Sequence, residues 1–203
     1  MKFLPLKAVR WLTALLTLAL AASPGFAQIS PKRILIIRHA EKAVVAEASV
    51  HLSDVGETRA KRLHELFEKS TDRPEPFAKP DFVFATNNTK MSHRPVETVT
   101  PLAKHLMLPI NSRFHNTADA TRKGIADLCK EILEEEKYRG KTILVCWHHG
   151  TMTELAVGLK ATKVPNRWRA DRFDRVWELT YDATGVAALV DRPQRLLKDD
   201  TVK

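Results

Sequence analysis

Three short apolar runs punctuate the chain, and each gives way abruptly to polar, chemically active residues. Ile34-Leu35-Ile36-Ile37 leads into Arg38-His39-Ala40-Glu41. Phe82-Val83-Phe84-Ala85 leads into Thr86-Asn87 and, further on, His93-Arg94. Thr142-Ile143-Leu144-Val145-Cys146 leads into Trp147-His148-His149-Gly150. A run apolar at every position, not at alternate ones, is the pattern of a strand covered on both faces. Strands are therefore expected at 33–37, 82–85 and 142–146, with another starting at Pro109-Ile110.

Between them the period changes to that of a helix. Ser53 is placed as an N-cap ahead of apolar positions Val55, Leu63, Leu66 and Phe67. A helix over 95–105 starts on Pro95, where proline suits the first turn. The segment 119–137 puts Ile125, Leu128, Cys129, Ile132 and Leu133 on one face, leaves Glu131 and Glu134–Glu136 as a solvated face, and closes at Gly140. Residues 151–159 form another helix. Pro74, Pro76 and Pro80 mark 71–80 as a loop. Val176–Tyr181 and Val186–Val190, joined by Asp182-Ala183-Thr184-Gly185, read as a hairpin.

Alternating strands and helices define an α/β fold: a three-layer sandwich, mostly parallel, with helices on both faces and an antiparallel edge hairpin. In such sheets ligands bind beyond the carboxyl ends of the strands. The three polar clusters all follow strands and so can meet in one crevice.

The first 27 residues are set apart. Lys2, Lys7 and Arg10 precede the apolar run 11–22, and small residues lead to Ala27. This is the layout of a secretory signal peptide, its apolar run short for a membrane span. Residues 1–27 are thus expected to be a leader cleaved near Ala27, 28–203 a single domain, and the product secreted or periplasmic. Membrane contact is expected only through that leader. The formal charge of +9 counts three leader cations and no leader acids, which leaves +6 for the domain and favours anionic ligands. No aromatic-interleaved basic patch or helix-turn-helix pattern points to nucleic acid. Cys129 and Cys146 fit two buried thiols or, in an oxidising compartment, a disulfide. Oligomeric state is not legible.

Two arginines and two histidines in one crevice suit a phosphate. A guanidinium offers a planar fork of donors to phosphate oxygens. A neutral imidazole can attack phosphorus, and a cationic one can stabilise the charge that develops. A carboxylic acid would protonate the leaving oxygen and later activate water. No metal or other cofactor is required, and no acidic cluster has magnesium-site spacing.

These residues also carry a resemblance. Arg38-His39-Ala40-Glu41 resembles the Arg-His-Gly signature of the histidine phosphatase superfamily, which includes the phosphoglycerate mutases. Leu52-Ser53-Asp54-Val55-Gly56-Glu57-Thr58-Arg59-Ala60 resembles the family's Leu-Ser/Thr-x-x-Gly-x-x-Gln/Arg-Ala helix start. Phe84-Ala85-Thr86 followed by Arg94-Pro95-Val96-Glu97-Thr98 is similar to its strand–loop–Arg-x-x-x-Thr element, and Thr142 to Leu155 to its second-histidine strand and helix. Together these blocks span roughly residues 33–160, in the family's order. Ala40 stands where glycine is usual, as in the small phosphatase branch.

The resemblance implies a phosphatase acting on a phosphomonoester through a phosphohistidine. His39 would be the nucleophile, and Arg38 and Arg94 would bind the phosphoryl group. The second histidine would be His149, also touching phosphate, or His148. The acid is open between Glu41, close to His39 in sequence, and Asp119, on the loop after the third strand. The implied substrate is a phosphorylated small molecule or a phosphorylated surface glycolipid. Other readings stay open. One is a non-catalytic phosphate- or sugar-phosphate-binding module, and another a phosphoprotein or phosphohistidine phosphatase. A third is a metal-binding protein using His39, His148 and His149. His51, His64, His93, His105 and His115 are expected at the surface or behind the site, with His93 noteworthy beside Arg94.

Overall fold

The structure is a computed structural model that describes residues 30–43, 49–115 and 121–201. The expected leader, 1–27, and Asp119 lie outside the described residues. The elements in chain order are β1 (Arg33–Arg38), α1 (Asp54–Arg62), β2 (Phe82–Thr86), α2 (Arg94–Leu106), β3 (Ile110–Phe114), α3 (Thr121–Glu134), β4 (Thr142–Trp147), α4 (Met152–Gly158), β5 (Ala161–Thr162), β6 (Arg175–Tyr181) and β7 (Ala187–Pro193). Among the described residues, no helix is long and apolar enough to cross a membrane.

The sheet order is β3-β2-β4-β1-β6-β7-β5. The four strands from β3 to β1 run parallel; β6 runs against its neighbours β1 and β7, and β5 adds two residues parallel to β7. The protein is therefore the expected mostly parallel α/β sandwich with an antiparallel pair, and the short β5 caps the edge beyond it.

The uninterrupted apolar runs reflect burial on two sides. Successive side chains of a strand point to opposite faces. Ile34 and Ile36 of β1 accordingly enter one core with Leu128 and Ile132 of α3 and Leu155 of α4. Leu35 and Ile37 enter the other, with Val99 and Leu102 of α2 and with Leu63 and Leu66, which follow α1. Cys129 belongs to the first core and Cys146 to the second, and both are free thiols. The sheet lies between them, so the disulfide is excluded and the reading of two buried thiols holds.

Two details differ from the sequence reading. The helix after Ser53 tightens to a 3-10 turn at Leu63–Phe67, and this turn carries the apolar contacts while Val55 faces solvent. Glu131 is not on a solvated face. It is buried, and it accepts hydrogen bonds from the Tyr138 hydroxyl at 2.6 Å and from the Arg113 guanidinium. A carboxylate is tolerated there because charged and hydroxyl donors replace its water.

Candidate active site

The register of two central strands builds the site. Arg38 of β1 is paired with Trp147 of β4. Parallel strands lie roughly 4.8 Å apart, so the next residues, His39 and His148, emerge side by side at their carboxyl ends. The His39 N–H still bonds to the Trp147 carbonyl at 3.2 Å. The two imidazoles meet edge to face with ring centroids 5.3 Å apart. His149 instead opens a short 3-10 turn that leads into α4.

His39 is 3 % exposed. Its Nδ1 lies 2.8 Å from the Ala40 carbonyl oxygen. A carbonyl only accepts, so Nδ1 carries the proton and Nε2 holds the free lone pair. Burial, followed by the positive neighbours His148, Arg38 and Arg94, pushes His39 down to about 2. His148 is pushed down to about 4, by burial first, then by Arg94, His149 and Arg38. His149 is lowered as well, by burial and then by Arg38 and Lys42. Both imidazoles of the His39–His148 pair are therefore neutral near pH 7 and surrounded by positive potential.

Arg38 is 2 % exposed and is brought down to about 10, by burial first and then by Arg94. Its Nη1 donates to the carbonyls of Ala170 (2.5 Å) and Arg172 (3.2 Å), and its guanidinium lies 3.7 Å from the Phe173 ring centre. Phe173 is also 6.1 Å from the His39 ring. It forms part of the crevice wall, and neither composition nor spacing singled it out. Arg94 begins α2 and donates from Nη1 to the Ser49 carbonyl at 2.6 Å. The Nε groups of both arginines are buried and have no hydrogen-bond partner among the described residues. Buried donors left open in this way suit an oxyanion.

Thr98 ties the helix to the loop of the histidine. Its Oγ1 donates to the Arg94 carbonyl at 2.7 Å and accepts the Ala40 N–H at 2.8 Å. This explains the Arg-x-x-x-Thr spacing: one helical turn sets the arginine at the crevice and the threonine against the β1 exit.

Glu41 is turned elsewhere. Arg59 grips both of its oxygens, with Nη2 at 2.7 Å and Nε at 3.0 and 3.1 Å. The same guanidinium donates to both oxygens of Asp200, at 2.7 and 2.9 Å. The structure thus brings together His39, His148, Arg38 and Arg94, with His149 near Arg38. It commits the Glu41 carboxylate to a buried ion-pair network.

These features define a class: a mostly parallel α/β sheet with two imidazoles and two guanidinium groups around one crevice at its carboxyl edge. Solved structures give the class a fold family. The protein histidine phosphatase SixA complexed with tungstate aligns at a TM-score of 0.51 and 14 % identity, covering 80 % of this chain and 97 % of that one. Phosphoglycerate mutase from Bacillus anthracis str. Sterne aligns at 0.57 and 13 % identity, covering 81 % and 93 %. A mycobacterial glucosyl-3-phosphoglycerate phosphatase aligns at 0.51 and 14 % identity, covering 80 % and 97 %. No protein-family model matches the sequence, and no curated protein matches it. The chain has the phosphoglycerate mutase-like fold.

Proposed function

We propose that this protein is a phosphatase of the histidine phosphatase superfamily that hydrolyses a phosphomonoester without a metal. The observation that carries the reading is the His39–His148 pair, 5.3 Å apart and sharing the positive fields of Arg38 and Arg94. His39 Nε2 attacks phosphorus, and the bond to the ester oxygen breaks. Arg38 and Arg94 hold the phosphoryl oxygens. His148 takes the part of the second histidine; a bound phosphate raises its proton affinity, and the resulting imidazolium donates to an equatorial oxygen. Water then attacks the phosphohistidine, releasing phosphate and restoring His39.

The leaving oxygen needs a proton. With Glu41 held by Arg59, we assign the acid to Asp119, which leaves Glu41 a structural role. An Asp119→Asn variant should then slow hydrolysis of an alkyl phosphate far more than that of an aryl phosphate, whose leaving group needs no acid. Equal slowing of both would overturn the assignment.

The substrate class is a phosphorylated small molecule or the phosphate of a surface glycolipid. Export with cleavage near Ala27 belongs to the same proposal, and N-terminal sequencing of the product from an expressing cell tests it. The reaction itself is tested by trapping. Brief mixing with a labelled aryl phosphate and acid-free denaturation should leave label on His39, alkali-stable and acid-labile. In His39→Ala both label and phosphate release should vanish. Full turnover in that variant would sink the mechanism, and phosphate binding with no turnover in the parent chain would favour the non-catalytic module.

A further inference from the structure

We propose that His51, His93 and Glu97 form a binding site for a divalent cation of the zinc kind, one that fastens the loop before α1 to the start of α2. The ligand atoms these three residues offer all lie within 4.8 Å of one another. The imidazoles of His51 and His93 face each other nearly perpendicularly, 84° between planes, with centroids 5.1 Å apart. Two imidazoles and one carboxylate are the donor set of many three-ligand zinc sites, which leave a fourth position to water. His93 and Glu97 are four residues apart, at the first turn of α2, so both project to one side.

An ordinary ion pair explains only part of this arrangement. The His51 Nδ1–Glu97 Oε1 contact of 2.5 Å accounts for two of the three groups. It does not account for His93, whose imidazole makes no hydrogen bond among the described residues and is nonetheless turned toward the other two. The backbone already holds the three groups in place: Leu52 N–H donates to Glu97 Oε2 at 3.0 Å, and His93 N–H to the Val50 carbonyl at 2.8 Å. Such support fixes ligand orientation before a cation arrives.

The site is distinct from the His39–His148 pair but mechanically joined to it. Arg94 follows His93 directly and donates to the Ser49 carbonyl. A cation bridging His51 to His93 and Glu97 adds a further tie across the same loop–helix seam, next to the guanidinium at the crevice. The Glu97 carboxylate supplies the negative charge that keeps a cation compatible with Arg94 nearby. The inference does not rest on the chemistry proposed for His39.

Titration of the chelator-treated full chain with zinc alone, followed by calorimetry, tests it. One cation per chain should bind, and Co2+ in its place should give the visible bands of a low-coordinate nitrogen–oxygen site. His93→Ala should abolish those bands. His51→Ala, at an exposed position, should weaken zinc at least about tenfold. His105→Ala is the control, because His64 and His105 also stack, 4.9 Å apart; it should leave the affinity unchanged. Circular dichroism establishes that each variant is folded. Failure of the parent chain to bind zinc stoichiometrically would overturn the proposal. So would equal weakening by His51→Ala and His105→Ala.

Discussion

At the scale of single residues, the two adjacent histidines after β4 differ in backbone position more than in chemistry. His148 follows the strand in extended geometry, with φ −90° and ψ 133°, and stays level with His39; His149 has turned into the 3-10 segment. The proposed roles predict a kinetic split. His148→Asn should lower kcat by about 10²–10³, the loss typical of one donor to a developing oxyanion. His149→Asn should cost less than about tenfold. Steady-state rates on one aryl phosphate decide the matter, and the reverse order would move the second role to His149. The sequence pointed to this pair and put His149 ahead of His148. What separates them is the pairing of Arg38 with Trp147, a register between strands more than a hundred residues apart that no local pattern encodes. Glu41 shows the same limit. Its closeness to His39 along the chain says nothing of direction, and the partner that turns it away, Arg59, sits a helical segment later. Phe173 left no local trace at all. Its stacking on Arg38 exists only because the 163–174 loop folds back over β1, and Phe173→Ala should raise the KM for phosphate esters several-fold while the protein stays folded. An unchanged KM would leave the stacking without a role in binding.

At the scale of elements, the strands and helices were legible because continuous apolar runs and 3.6-residue periods report burial directly. Their joints were not. The entry to α1 is one such joint. Ser53 caps the helix by accepting the Gly56 N–H at 3.2 Å, and its own N–H donates to the Glu41 carbonyl at 3.0 Å. A Cβ on Gly56 would lie 2.3 Å from that carbonyl oxygen and 3.0 Å from the Glu41 nitrogen. Backbone bounds the space, so nothing can swing aside. Gly56→Ala should therefore destabilise the protein by about 1–3 kcal/mol, the usual cost of overpacking, and disturb the loop that holds His39. Denaturant melts read the first effect and aryl phosphate turnover the second. A variant as stable as the parent would show that the loop yields. The ion-pair network beneath this joint is a second case. Arg59 and Asp200 are each 4 % exposed in their side chains. Burial lowers Arg59, but the hydrogen bonds it donates to Asp200 and Glu41 outweigh it and raise the guanidinium above its ordinary value. Asp200 also accepts the Leu196 and Leu197 N–H groups, so the C-terminal segment is fastened under the β1 exit. Arg59→Met leaves the Asp200 carboxylate buried without its cation, a loss of about 3–5 kcal/mol. A change below ~1 kcal/mol would mean that Asp200 finds water instead.

At the scale of the whole molecule, the crevice sets how stability responds to acid. His39 and His148 are neutral when folded, held down to about 2 and about 4 by burial and by the surrounding positive charge. Unfolded, both titrate near 6.5. As pH falls through 6.5 the unfolded chain binds protons that the folded chain refuses, and stability declines. Each imidazole contributes up to about 1.4 kcal/mol per pH unit. For His148 the loss ends near pH 4, where the folded form also binds a proton; for His39 it continues toward 2. Depressed carboxylates act later and with the same sign. Asp174, held low by the N–H and hydroxyl of Thr201 against the opposing effect of burial, loses its contribution only as pH falls below the ordinary carboxylate range. Between about pH 6.5 and 4.5 the slope therefore belongs to the imidazoles. Denaturant unfolding across that range should show stability dropping steadily, and His148→Asn should flatten the drop in part, because His39 and the likewise lowered His149 remain. Vanadate should flatten it too, since an oxyanion beside the pair favours the proton that burial disfavours. A drop of the same size in parent and variant would place the acid sensitivity outside the crevice. A flat profile above pH 4.5 would show that the two imidazoles keep their ordinary basicity in the fold, and with that the picture of a neutral nucleophile poised in a positive field would fail.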